Sequence, residues 1–317
     1  MGALAGDGTC RNRKNFGYIY SSPMGIWLTA FFLAPLFIII VYSFMKKGLY
    51  GGVMPEFSLN AYKGLFNPSL AAITMHTLIT SIIATAITII IALPCGYFMA
   101  KSRNQTTLLL LIIIPFWTNF LIRVFAWMNI LGNNGFLNTF LMGIGLIDDY
   151  VHFLYNQKTV ILVLVYMYLP YAILPLFSSI DKFDFSLLEA ARDLGATKSC
   201  AMRKVMLPNI KSGIYTAVLF TFIPIFGAYA VPLLVGGKES YMLGNVIADQ
   251  LTKSRNWPLA SAISMVLTLV TTVGVMLMMA IQHKESLKNK EAKQIVVDQL
   301  HRQTQKQTQT QTQEQGR

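Results

Sequence analysis

A polar stretch at residues 187–195 has the most informative spacing of chemical groups in this chain. It reads LLEAARDLG. Ser186 and Glu189 have the spacing of a capping box, in which the serine caps a helix and the glutamate bonds back to it. Gly195 is typical of a helix C-terminus, because glycine adopts the left-handed conformation at low cost. The pattern predicts a short polar helix that ends at Gly195 and is suited to docking on a soluble partner.

The faces of this predicted helix differ in polarity. Its apolar positions fall at helical spacing and predict a single stripe: Leu187, Leu188, Ala191 and Leu194. Glu189, Arg192 and Asp193 are expected on the other faces. A second short helix is predicted at residues 198–206, before Pro208 blocks its continuation. An open alternative is that the segment only links two membrane spans, with Glu189 doing no more than capping its helix.

Apolar runs of membrane length must position this segment. Hydrophobic residues make up 54% of the chain and charged residues only 13%, a balance typical of a membrane protein rather than of a soluble domain. Because a spanning helix needs about 20 apolar residues, each of the charge-free runs holds one helix. The predicted spans are residues 25–44, 77–100, 107–127, 159–180, 214–235 and 259–281. The sequence therefore predicts an all-α membrane protein with six transmembrane helices in residues 21–283.

The Lys and Arg residues are distributed unequally between alternate loops. Most of the 26 lie in the N-terminus, the second loop, the fourth loop at 181–211 and the C-terminal tail. Since cytoplasmic loops carry the excess of basic residues, this distribution places both termini and the Glu189 segment in the cytoplasm. The net charge of +12 is then explained by membrane topology, and nucleic-acid binding is not expected.

The two ends of the chain carry little chemistry. Residues 1–20 form a short basic N-terminus, and residues 284–317 form a Gln/Thr-rich tail that is predicted to be disordered and cytoplasmic. Cys10, Cys95 and Cys200 have no spacing typical of a disulfide framework or a metal site. The chain has no GxxxxGK(S/T) loop, so we expect it not to bind ATP in the manner of that loop.

The Glu189 segment resembles the EAA loop of permeases from ABC importers. The residues that carry the resemblance are Glu189-Ala190-Ala191, then Gly195, and finally Val205-Met206-Leu207-Pro208. The one deviation is Val205, where isoleucine is commoner. In that family the loop forms a coupling helix that seats in a groove on the ATPase subunit. The resemblance therefore implies a coupling role for these residues: Ser186, Leu188, Glu189, Ala190, Ala191, Asp193, Leu194, Gly195, Leu207 and Pro208.

Further segments resemble spermidine/putrescine permeases of the PotB type. They are residues 115–123 with 135–138, residues 175–182, residues 244–247 and residues 256–258. The resemblance implies a type I ABC-importer permease in the cytoplasmic (inner) membrane of a bacterium, which imports polyamines by alternating access. The implied partners are a homologous second permease, two ABC ATPase subunits, an extracytoplasmic polyamine-binding protein and membrane lipid. The resemblance also implies that ATP and Mg²⁺ are used by the ATPase subunits, and that this chain is a transport subunit and not an enzyme.

Aromatic side chains in the predicted spans are candidates for a cargo path, because ring faces attract cations. Together with Asn119, the candidates are Trp117, Trp127, Tyr166, Tyr171, Phe222, Phe226 and Tyr229. Each ring has a plainer alternative: Trp and Tyr are common anchors at the membrane interface, and the fifth span, interrupted by Pro224, Gly227 and Pro232, can be a kinked packing helix. Arg123, the one charge inside a predicted span, is expected near the outer interface in a structural or gating role.

The charge-free runs contain no Asp or Glu. This disfavours a proton-coupled carrier, since such proteins place ionisable residues within the membrane. Related permeases tend to carry a carboxylate in the fifth span, whereas residues 227–234 read GAYAVPLL here. Selectivity is therefore expected mainly from the binding protein and the partner permease. The alternatives that stay open are another small cargo (an opine, an amino-acid derivative or a thiamine-like cation), an ion-coupled carrier, and a non-transporting scaffold.

Overall fold

Long apolar helices make up most of the fold, as the charge-free runs predict. The structure is a computed structural model that describes residues 9–282 and 284, with side chains from residue 20 onward. Four helices have stretches long and apolar enough to cross a membrane: Tyr20–Ser43, Pro68–Lys101, Gln157–Asp181 and Trp257–Gln282. Two bent pairs bring the number to six if each pair is one span: Gln105–Phe116 with Phe120–Gly143, and Lys198–Asn209 with Lys211–Phe226. The described residues thus hold four to six candidate spans, against the six predicted.

Most of the described helices are connected by short turns, with a longer connection between Gly143 and Gln157 and a β-hairpin between the first two helices. In chain order the elements are α1 Thr9–Ser43, β1 Met45–Lys47, β2 Val53–Phe57, α2 Asn60–Leu65, α3 Pro68–Lys101, α4 Gln105–Phe116, α5 Phe120–Leu131, α6 Phe136–Gly143, α7 Gln157–Asp181, α8 Ser186–Asp193, α9 Lys198–Ala201, a π turn Met202–Met206, α10 Leu207–Asn209, α11 Lys211–Phe226, α12 Ala230–Val235, a 3-10 turn Lys238–Ser240, α13 Leu243–Thr252 and α14 Trp257–Gln282. The tail predicted to be disordered lies outside the described residues, apart from Lys284.

Four predicted spans each correspond to a single helix, namely α1, α3, α7 and α14, although the first span extends one residue beyond the end of α1. The helices are longer than the predicted spans because polar caps start them before the apolar run. At α3, Asn67 Oδ1 accepts from Ser69 N at 3.0 Å, and Pro68 occupies the first helical position, where no N–H is needed. At α7, Asn156 Oδ1 accepts from Thr159 N at 2.9 Å.

The third predicted span, 107–127, is wrong as a straight helix. α4 and α5 occupy this stretch, and α4 meets the segment Phe120–Gly143, which begins with α5, at 85°. The carbonyl of Pro115 accepts from the Thr118 hydroxyl at 2.6 Å instead of continuing the helical ladder. Asn119 Oδ1 then accepts from Leu121 N at 2.9 Å and caps the new helix. Bonds from polar side chains to the backbone turn the chain here, and a count of apolar residues cannot detect them.

The fifth predicted span, 214–235, is interrupted as its prolines predict. α11 ends at Phe226 and α12 begins at Ala230. Pro224 and Pro232 lie inside the two helices and have no N–H to donate to the helical ladder. A break between these prolines is therefore the physical consequence of two missing donors in a short stretch.

The described chain divides into two compact units, of which the first comprises residues 9–77 and 241–268. It contains the antiparallel hairpin of β1 and β2, which the hydropathy pattern did not predict. Gly52 N donates to Arg255 O at 2.9 Å and holds the hairpin against the turn before α14. Gly52 has φ +78°, a value that glycine adopts readily, so the turn between the strands is set by local backbone chemistry.

The second unit, residues 78–240 with 269–282 and 284, is built around α7. The buried side chains of this helix include Val160, Val163, Leu164, Met167, Ala172, Ile173, Leu176 and Ile180. α3 comes close at Gly96, where an added Cβ would lie 3.3 Å from Phe177 N. α11 comes close at Gly213, where an added Cβ would lie 2.6 Å from Ser179 Oγ. Small residues thus allow close helix packing, as is typical in membranes.

Candidate functional site

The N-terminus of α8 is capped by Asp184 and not by Ser186. Asp184, two residues before the helix begins, accepts from the N–H of its first residue: Asp184 Oδ1 lies 3.0 Å from Ser186 N. The Ser186 hydroxyl and N–H both donate to this carboxylate and lower the pKa of Asp184 below its usual value, because they stabilise the ionised form. The predicted capping box is wrong, since Asp184 takes the N–H that Glu189 was expected to bind.

The C-terminus of α8 ends at Gly195, as predicted. This glycine has φ +87°, and its N–H donates to Arg192 O at 2.9 Å. Ala196 N donates to Ala191 O at 3.1 Å. Together these bonds form a Schellman motif, in which a left-handed residue satisfies the last carbonyls of a helix. A residue with a Cβ is disfavoured at this position on backbone grounds, although the space around it is open.

The apolar positions of α8 divide between two faces. Leu188 is buried and Ala191 half-buried, whereas Leu187 is 45% exposed and Leu194 is 90% exposed. The predicted single stripe is therefore wrong. Positions 188 and 191 share one side of a helix and positions 187 and 194 share another. The inner pair anchors α8, and the outer pair remains at the surface.

The outer face of α8 combines apolar and ionic groups. Leu187, Ala190 and Leu194 are exposed along it. Beside them is an open depression of about 530 Å³, lined by Glu189, Arg192, Asp193, Gly195, Ala196, Thr197 and Lys198. A soluble partner would meet an apolar ridge flanked by charges of both signs. Such a surface is suited to docking in a groove, because apolar contact and directed polar bonds are both available.

The segment after α8 is helical through Pro208. The sequence predicts a helix end before this proline, and that is wrong: α9, the π turn and α10 continue to Asn209. At the end of the π turn, Leu207 N donates to Met202 O, five residues back. The π turn opens the ladder just where Pro208 has no N–H to donate. The chain then bends by 73° into α11.

A cluster of buried side chains holds loop 181–211 against the long helices. Its members come from α3, α7, α8, α9, the π turn and the connections between them: Ala100, Ile180, Phe183, Leu188, Ala201, Met206 and Ile210. At the same end, Gln105 Nε2 donates to Asp181 Oδ1 and to the Ala100 carbonyl, each at 3.0 Å. Because packed interiors transmit displacement, movement of α8 would be passed directly to α3, α7 and α11.

Arg123 lies beside aromatic rings at the bend between α4 and α5. Its guanidinium carbon is 5.1 Å from the centroid of the Phe116 ring and 6.0 Å from that of Phe120, distances typical of cation–π contact. Its expected position near the outer interface and its structural or gating role stay predictions. Neither phenylalanine was named as a candidate from the sequence. Both could have been found from the sequence, because they lie in the segment 115–123 that resembles the PotB-type permeases, on either side of the turn.

Three of the predicted path residues join ring pairs near this bend. Trp127 in α5 and Tyr166 in α7 have centroids 5.2 Å apart, and Phe116 in α4 and Tyr171 in α7 have centroids 4.9 Å apart. Both pairs are close to edge-to-face, an arrangement that aromatic rings favour. The tertiary structure thus brings Trp127, Tyr166 and Tyr171 into one aromatic region with Arg123.

The other predicted path residues have different surroundings. Trp117 is 83% exposed, and Asn119 caps α5. Phe222 and Phe226 stack with centroids 5.5 Å apart, and Phe226 is buried. Tyr229 is half-exposed at the break before α12. A role in a cargo path stays a prediction for all of these residues.

The sequence matches a known family over most of its length. Residues 89–284 match the family described as binding-protein-dependent transport system inner membrane component. The chain belongs to this family. It is therefore a multi-pass transport subunit of the inner membrane and not itself an enzyme. This membership disfavours an ion-coupled carrier and a non-transporting scaffold.

Relatives of this inner-membrane component include the spermidine/putrescine permeases that its sequence resembles. The spermidine/putrescine transport system permease protein PotB of Escherichia coli (strain K12) is 37% identical over 254 residues, covering 80% of this chain and 92% of that protein. The same permease of Salmonella typhimurium (strain SL1344) is 36% identical over 270 residues, covering 84% and 93%.

A solved structure supports the fold of this inner-membrane component. A bacterial alginate ABC transporter, in complex with an alginate pentasaccharide-bound periplasmic protein, matches with a TM-score of 0.69 at 17% identity. The match covers 84% of this chain and 93% of that chain. The predicted fold class, an all-α type I ABC-importer permease, is confirmed.

Proposed function

We propose that this chain is the permease subunit of a bacterial ATP-driven importer that moves polyamines, spermidine or putrescine, into the cytoplasm. The similarity to PotB carries the proposal, because these relatives are 36% and 37% identical and cover at least 80% of this chain. The importer works by alternating access, in which the path opens to one side of the membrane at a time.

Coupling to ATP hydrolysis takes place through the outer face of α8. In this proposal, Leu187, Ala190 and Leu194 insert into a groove on the ATPase, and Glu189 bonds to its rim. The packed cluster beneath α8 then passes the ATPase movement to α3, α7 and α11. Ser186, Asp193, Leu207 and Pro208 belong to the same loop and support the shape of this surface. ATP and Mg²⁺ are bound by the ATPase subunits.

The complete importer contains four further components. They are a homologous permease that forms a heterodimer with this chain, two ABC ATPase subunits, and an extracytoplasmic polyamine-binding protein. Both termini and loop 181–211 lie in the cytoplasm, as the distribution of basic residues favours. The exposed apolar faces of the long helices contact lipid and the second permease.

The path through this subunit binds its cargo weakly. Aromatic rings near the α4–α5 bend can contact ammonium groups, but α4, α5 and α11 contain no Asp or Glu. The carboxylates that select a polycation therefore belong mainly to the binding protein and the partner permease. Trp127, Tyr166 and Tyr171 are the path residues with the most support from the geometry.

The test replaces the two residues that define the coupling helix. Glu189→Gln with Gly195→Ala is expected to abolish uptake of labelled spermidine by intact cells, because the first removes a charge from the docking face and the second strains the helix end by about 1–2 kcal/mol. Lys204→Gln, an exposed charge change in the same loop but outside α8, is the control. Normal membrane levels with lost uptake support coupling. Uptake that survives the double change contradicts it.

A different small cargo is the second candidate, because residues 227–234 depart from the pattern of related permeases. Related permeases tend to carry a carboxylate in the fifth span, which this stretch lacks. The ATPase activity of the reconstituted importer distinguishes the two. Stimulation by a spermidine-loaded binding protein supports the polyamine assignment, whereas stimulation only by a protein loaded with an opine, an amino-acid derivative or a thiamine-like cation replaces it.

A further inference from the structure

Arg123 is held by rings rather than by a carboxylate. Phe116 ends α4 and Phe120 begins α5, so the guanidinium lies across the bend and contacts one ring from each helix. α4 and α5 contain no Asp or Glu, and the one acidic residue of α7 is Asp181 at its last position, bonded to Gln105. The permanent positive charge of Arg123 therefore rests on aromatic faces, and these helices supply no carboxylate beside it to neutralise it.

The surroundings of Arg123 leave part of its guanidinium unsatisfied. The side chain borders a cavity of about 200 Å³, lined also by Phe116, Tyr166 and Pro170. Arg123 Nε is buried and, among the described residues, has no hydrogen-bond partner. An unpaired buried donor is unfavourable, and this nitrogen contributes no bond that would hold the side chain in place. Arg123 is a cation that another cation can displace.

We propose that Arg123 is an internal competitor of the cargo, which occupies the ring faces that an ammonium group of a polyamine would otherwise bind. The inference rests on the proposed polyamine cargo. A primary ammonium and a guanidinium are attracted to the same ring face by the same quadrupole, and two cations at one site repel each other. Cargo entering the aromatic region must displace Arg123 and is therefore held weakly.

Weak retention has a direct use in an importer. A path conducts only if its sites bind cargo well enough to admit it and loosely enough to release it. Here the rings around the α4–α5 bend supply attraction, and the tethered guanidinium returns to them when the cargo leaves. Arg123 thereby speeds release and prevents trapping of a polycation on Phe116 and Phe120.

The experiment measures equilibrium binding of tritiated spermidine to the full importer, with its partner permease and ATPases, in lipid nanodiscs without the binding protein. Arg123→Met is expected to bind spermidine about fivefold or more tightly than wild type, because a competing cation–π contact and a like-charge repulsion are removed. Its maximal uptake rate falls. Arg123→Lys keeps a cation and stays near wild type, and Arg103→Met, outside the described spans, is the matched control.

The outcomes separate this role from a structural one and from a wrong cargo. Unchanged or weaker binding by Arg123→Met, with a normal melting temperature, overturns the competition. If this variant is unstable, Arg123→Gln keeps a polar side chain without charge and must show the same gain. Adding Phe116→Leu to the methionine variant must reverse the gain, since the freed ring is lost. Wild type that takes up no spermidine overturns the cargo itself, whereas wild-type uptake with no gain in the variant overturns only the role of Arg123.

Discussion

Asp184 and Gly195 fix the two ends of α8 by different chemistry. The Asp184 carboxylate accepts from the first turn, and the left-handed backbone at Gly195 satisfies the last one. With both ends closed, a helix of eight residues persists although isolated helices of this length are marginal in water. The docking face is therefore formed before any partner binds, which lowers the entropy cost of association.

Removal of the Asp184 cap should weaken coupling without abolishing it. Asp184→Ala loses the acceptor for Ser186 N and is expected to reduce spermidine-driven ATPase activity of the reconstituted importer. Asp184→Asn keeps an acceptor oxygen and retains most of the activity. Ser186→Ala should have a smaller effect than Asp184→Ala, because the N–H of residue 186 remains. If the predicted capping box were present, Ser186→Ala would instead cause a severe loss. A larger loss for Ser186→Ala than for Asp184→Ala would contradict this assignment.

The pH dependence of the cap has a defined sign. Hydrogen bonds lower the pKa of Asp184 in the folded state, so its contribution is fully present above the unfolded-state pKa. The contribution is lost only as the pH falls through the lowered folded-state value. The ratio of wild-type to Asp184→Asn activity should therefore stay constant between about pH 6 and 8.

At the scale of elements, bends rather than straight spans carry the functional groups. The 85° bend between α4 and α5 places Arg123 over its rings, and the 73° bend before α11 joins the loop to the bundle. α7 is the fixed element between them, since α3 and α11 approach it at Gly96 and Gly213. The polar loop and the aromatic region are therefore connected through α7.

Because α7 and α11 pack closely at Gly213, a single methyl group added there should lower the stability of the protein. Gly213→Ala would place a Cβ against Ser179, well inside van der Waals contact, and is expected to destabilise the importer by about 1–3 kcal/mol. Gly274→Ala, in α14 with open space around the added Cβ, is the matched control and should be silent. Thermal unfolding of the purified importer measures both. Equal melting temperatures for the two variants would contradict the close packing.

For the molecule as a whole, apolar surface marks where lipid and partners belong. The most apolar window of α1 has no buried residue, and that of α14 has few. Exposed patches of this size are stable only against lipid or another apolar surface. The chain is thus suited to a membrane or to another apolar surface.

The distribution of basic residues predicts the orientation of the entire chain. Alkaline phosphatase, which is active only outside the cytoplasm, should be inactive when fused after residue 317 and active when fused in the loop after residue 145. Green fluorescent protein at the same two sites should show the opposite pattern. An active phosphatase at the C-terminus would invert the topology and place α8 on the side without ATPases.

Some features of the site could be predicted from the sequence because their causes are local. A glycine after a polar helix determines its end at Gly195, and paired prolines determine a broken fifth span. Charge-free runs determine membrane helices, since lipid satisfies no backbone polar group and the chain must do so itself. The motif around Glu189 identified the family for the same reason: its signal lies in adjacent residues.

Other features were decided only by tertiary contacts. The sequence placed Leu187, Leu188 and Leu194 on one stripe, but packing against α3 and α7 buried only Leu188 and left the others exposed. The cap moved to Asp184, and the third span bent, because particular side-chain oxygens and hydroxyls reached backbone groups that hydropathy does not register. The sequence by itself determined which solvent each segment requires and which family the chain resembles. The tertiary structure alone decided which side chains face inward, since that depends on neighbours distant in the chain.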